Sequence, residues 1–193
     1  MSLATILRRT AVALTSLFVL GGVLFALGYA FEDPGGWTAV LIAAAVLGPI
    51  VGLSLLAARS EPVALMVLVA ALVVFTAWAA ITLFVDIELP SVPIIALVLA
   101  LPIAVLGLRR PMRAAELLLA DAALPFTLVV IRFFTESSVE GPAMRDLLGT
   151  STGAVVVPLT VLALLFLAAG FLDRPATAPR VPRVQPPAPA AHS

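Results

Sequence analysis

Residues 116 to 134 read ELLLADAALPFTLVVIRFF, and they hold the chain's plainest capacity for chemistry: a carboxylate, Asp121, four residues before Pro125 in an apolar run. A carboxylate placed so deep in a membrane segment serves a proton or ion path, or it anchors two helices through an ion pair. One helical turn away on either side stand Leu117 and Pro125, so its own helix offers no cation, and Arg132 lies eleven residues off. The candidate partners are Arg109, Arg110 and Arg113, whose long side chains extend from the preceding connection.

Other reactive constellations are missing from the sequence. There is no Cys and no Lys, which removes thiolate and Schiff-base nucleophiles, and the single His, His192, is next to last. No Walker loop, G-x-G-x-x-G or G-x-S-x-G motif is present. The acids Glu32, Asp33, Asp86 and Glu88 read as loop charge. The expectation is therefore a non-enzymatic protein with no catalytic residues, no metal or cofactor site and no nucleic-acid partner.

Composition decides which solvent surrounds Asp121. With 62% hydrophobic and 11% charged residues and a mean hydropathy of +1.19, the chain cannot cover a water-soluble body of its size. Transmembrane helices need about 20 mostly apolar residues; four segments stand out, about 10–30, 38–58, 63–84 and 152–172, joined by a shorter one at 93–108 and by the Asp121-bearing one at 114–134. The predicted fold is all-α, a polytopic integral membrane protein with six transmembrane helices in a compact bundle. The alternative has five spans, with residues 114–134 as an interfacial helix on the membrane surface. The first segment reads as a retained span, because its apolar run is longer than a signal peptide's h-region of roughly 7 to 15 residues. A short surface helix from Pro142 to Gly149 is expected in the last outer loop.

Six spans place Arg8, Arg9, Arg59, Arg109, Arg110, Arg113, Arg174, Arg180 and Arg183 on one side of the bilayer. Only Arg132 and Arg145 fall on the other, together with Glu32, Asp33, Asp86, Glu88, Glu136, Glu140 and Asp146. The arginine excess marks the cytoplasmic face, which predicts that both termini lie in the cytoplasm. Exclusive use of Arg, with heavy Ala, Val, Leu and Pro, suggests a GC-rich bacterial genome and hence a bacterial cytoplasmic membrane. The proline-rich segment 173–193 cannot bury a core and is expected to be a disordered cytoplasmic tail.

Helices associate in lipid by close approach at small residues. In the second span Ala44, Gly48 and Gly52 recur every four residues, which predicts a packing face and puts that span near the bundle centre. Pro49, Pro102, Pro125 and Pro158 each interrupt a different span and are expected to kink it, with Thr127 and Thr160 placed to help satisfy freed carbonyls. Partners expected are the lipid bilayer and other membrane subunits or further copies of the chain. The functional expectation is an accessory, scaffold or assembly component of a larger membrane system. A small transporter or channel subunit using Asp121 is the alternative.

Overall fold

The computed structural model describes residues 2–33, 35–81, 91–135 and 151–173. Among them the fold is all-helical: α1 (Leu3–Glu32), α2 (Gly36–Arg59), α3 (Glu61–Ile81), α4 (Ser91–Gly107), α5 (Pro111–Thr135) and α6 (Ser151–Leu172). The end of the third span, the loop helix at Pro142, the acids Asp86, Glu88, Glu136, Glu140 and Asp146, and the tail beyond Asp173 lie outside the described residues.

Local chemistry sets the helix ends. Ser2 caps α1, its hydroxyl accepting the Thr5 main-chain N–H at 3.3 Å. The helix thus begins about two turns ahead of the apolar run, and Arg8 and Arg9 belong to it. Gly35 and Gly36 have φ of 66° and 58°, a left-handed geometry that a Cβ would strain. This geometry reverses the chain into α2, and the Gly35 N–H bonds the Ala30 carbonyl at 3.0 Å. Ser60 alone joins α2 to α3: its N–H bonds Leu56 at 2.8 Å and its carbonyl accepts from Ala64 at 2.9 Å.

Among the described residues five helices are long and apolar enough to cross a membrane, and α5, through Pro111–Ile131, is one of them. The shorter apolar helix is α4, Val92–Gly107. From Val92 to Gly107 no residue of α4 is exposed, and α4 touches each of the other helices. It is the hub of the bundle. A helix wrapped by protein along its length has little contact with lipid, so its span of about 25 Å need not match a hydrocarbon core of about 30 Å.

The central place expected for the second span is therefore α4's. Of the five long helices α2 has the smallest buried share. Ala39, Ile50 and Ala57 form its buried stripe, whereas Ala44, Gly48 and Gly52 are exposed. At about 100° per residue the small-residue face is centred about 180° from the buried stripe, so it points away from the bundle. A Cβ built on Gly48 or Gly52 meets nothing within 4 Å. Four-residue spacing of small side chains marks a helix able to pack closely; it does not select the neighbour.

The outer helices bury single stripes, such as Ala64, Leu68, Leu72, Phe75 and Ala79 in α3, and turn large apolar side chains outward. Phe25 is 76% exposed and Trp37 79%. A surface of this kind suits hydrocarbon and would aggregate in water.

Contacts between charged groups gather the helix termini at one end. Arg8 pairs with Asp173 at 2.8 Å and donates to the Leu108 carbonyl at 3.1 Å, joining the start of α1 to the ends of α6 and α4. Arg109 donates to the Ala58 carbonyl near the end of α2 at 2.6 Å, and Arg110 pairs with Glu61 at the start of α3 at 2.5 Å. Neighbouring helices therefore alternate in direction.

Candidate functional site

Buried positions on α5 recur at Ala114, Leu117, Leu118, Asp121, Ala122, Pro125 and Leu128, a spacing of three and four that makes one inward stripe. Asp121 sits in the middle of that stripe because its position repeats with that of the leucines, and it is 0% exposed. The stripe faces α6 and α4, against which α5 packs most extensively. The carboxyl is neither at the lipid surface nor in water.

Among the described residues neither carboxyl oxygen of Asp121 has a hydrogen-bond partner. The three arginines placed within reach by sequence are committed elsewhere: Arg109 to Ala58, Arg110 to Glu61, and Arg113 to Glu116 at 2.9 Å. The ion pair expected between Asp121 and this group does not form. Geometry explains it, since eight residues of helix separate Arg113 from Asp121, about 12 Å along the axis.

Pro125 adds a second polar deficit at the same place. Having no N–H, it cannot bond the carbonyl four residues earlier, which is that of Asp121 itself. Thr127 does not compensate, because its hydroxyl donates to Ala123 at 2.7 Å, and Thr160 likewise donates to Val156 at 2.8 Å rather than to the carbonyl freed by Pro158. Both threonines make the ordinary bond to the residue one turn back, as Thr15 and Thr76 do. Pro49, Pro102, Pro125 and Pro158 all lie within continuous helices, with Pro102 and Pro125 fully buried.

The result is a polar locus on an otherwise apolar stripe: a carboxyl without a partner among the described residues and, on the same residue, a main-chain carbonyl without its helical donor. Such a locus offers oxygen ligands to a proton or a small cation. Among the described residues no cluster of three or more Asp, Glu or His side chains forms a metal site. A groove of about 340 Å³ between α5 and α6 is lined by Leu119, Ala122, Ala123, Phe126, Val156 and Thr160. Its α5 residues centre about 150° around the helix from Asp121, so the groove runs along the outer side of α5.

Other close approaches escaped the sequence reading. Phe166 on α6 is fully buried against Gly107, the last residue of α4, and Met112 packs on Gly170. Each glycine closes an apolar segment beside a run of charge, which is a readable pattern, but the side chain filling the space comes from another helix. The acids Glu61, Glu116 and Asp173 each pair with an arginine of the same bundle end, Arg110, Arg113 and Arg8 respectively. Compared with protein-family models, with curated proteins and with solved structures, the chain matches none.

Proposed function

We propose that this chain is a non-enzymatic, multi-pass protein of a bacterial cytoplasmic membrane that serves as an accessory, scaffold or assembly component of a larger membrane system. The observation that carries the reading is the outward Ala44, Gly48, Gly52 face of α2. Lipid gains nothing from a flat strip of small side chains, whereas a second helix can approach it closely and gain van der Waals contact. Both termini are assigned to the cytoplasm because Arg8, Arg9, Arg59, Arg109, Arg110 and Arg113 belong to helix termini drawn together at one end.

Purification of the full chain in mild detergent, with identification of whatever co-purifies, tests this reading. A stoichiometric membrane partner or a second copy is expected. Gly48→Leu should abolish that association and leave the protein folded, since position 48 is exposed and a Cβ there meets nothing within 4 Å. A monodisperse monomer from native membranes, or an association indifferent to Gly48→Leu, contradicts the proposal.

A second reading, a small transporter or channel subunit, is favoured by the buried carboxyl of Asp121 without a partner among the described residues. It requires that Asp121→Asn abolish movement of an ion or substrate while the amount of protein in the membrane stays unchanged. Transport surviving the substitution removes that reading.

A further inference from the structure

Beyond the α2 face, the connection between α4 and α5 shapes a pocket of about 360 Å³, lined by Arg109, Arg110, Pro111, Met112 and Arg113 and, from the end of α6, by Gly170 and Asp173. We propose that this pocket binds the phosphate of an anionic phospholipid, whose acyl chain lies in the groove between α5 and α6.

Three features support it. Each guanidinium has five N–H donors in a planar fork, and the contacts described occupy one nitrogen on each of Arg109, Arg110 and Arg113. Arg110 and Arg113 are also well exposed, at 64% and 61%, so their pairs with Glu61 and Glu116 are weak and can share their donors with a phosphate.

The pocket also holds the start of α5. Pro111 occupies the first helical position, and no acid stands in the first turn, so the main-chain N–H groups of Met112 and Arg113 add donors beside the guanidinium groups.

The apolar half of the site is in register with the polar half. Met112, Leu119 and Phe126 follow one another at seven-residue intervals, so the pocket at Met112 and the groove at Leu119 and Phe126 share one side of α5. The same seam between α5 and α6 thus offers cations at its end and apolar wall along its length. That sequence of chemistries matches a lipid entering from the side, head at the interface and chain along the helices.

Native mass spectrometry of the full-length protein, loaded with phosphatidylglycerol or phosphatidylcholine, tests the proposal. One phosphatidylglycerol per chain is expected to persist under activation that strips phosphatidylcholine. Arg110→Gln with Arg113→Gln should weaken retention by roughly tenfold or more, while Arg59→Gln, which removes one positive charge of the same face outside the pocket, should change it little. Ala123→Trp fills the groove without touching a charge and should also reduce retention. Equal retention of the two lipids, or of phosphatidylglycerol by the double variant and the parent, overturns the proposal. Displacement of phosphatidylglycerol by millimolar inorganic phosphate overturns the lipid assignment in favour of a soluble anion.

Discussion

Replacing Asp121 with Leu is expected to stabilise the folded protein by about 1 to 3 kcal/mol, the usual cost of a buried polar group left without a partner. Leucine has the same branched skeleton of four side-chain heavy atoms, so the change removes two buried oxygens without emptying their volume. In most proteins a core substitution of this kind destabilises; the sign reverses here because the carboxyl has no hydrogen-bond partner among the described residues. Reversible unfolding in mixed micelles measures it. A loss of stability in Asp121→Leu would mean that the carboxyl has a partner holding it. The same substitution is expected to remove whatever activity depends on the carboxyl, since polar groups kept at a cost to stability are typical of functional sites.

The contact between Gly107 and Phe166 predicts the opposite sign. A Cβ on Gly107 would overlap the Phe166 ring at Cε1 and lie 2.8 Å from Cδ1 and Cζ. Phe166 is 0% exposed, so its ring is packed on by neighbouring helices. Alanine is favoured over glycine inside a helix by about 1 kcal/mol, but forced overpacking costs about 1 to 3 kcal/mol, so Gly107→Ala is expected to be net destabilising. Phe166→Leu made in the same chain should recover part of the loss, with a coupling of about 0.5 to 3 kcal/mol in the double-mutant cycle. An additive cycle would show that the two residues are not in contact.

How much of this was legible in the sequence differs from element to element. Apolar length is a one-dimensional property, and the helices duly appear where the apolar runs stand, with α5 among those long enough to cross. Their packing partners are not one-dimensional. The Ala44, Gly48, Gly52 repeat describes one surface of α2 and carries nothing about which helix lies opposite, so it does not mark the hub, which is α4. In α4 the useful sign was different: a short segment with two prolines and no polar side chain between Val92 and Gly107, a composition suited to burial on every side. Asp121 was legible as a buried group from its position alone. That Arg109, Arg110 and Arg113 do not pair with it was not, because the three lie close in sequence yet are drawn to Ala58, Glu61 and Glu116 at the bundle end.

Site-directed cross-linking on α2 bears most directly on the proposal that its outward face receives a protein partner. The chain contains no cysteine, so Val51→Cys, 54% exposed at the edge of the small-residue face, creates a unique thiol for a photoactivatable probe without filling that face, and Val73→Cys on α3, 63% exposed, serves as the lipid-facing control. Illumination in native membranes is expected to give a discrete protein adduct from position 51 and only lipid adducts from position 73. Lipid adducts alone from both positions would contradict the account.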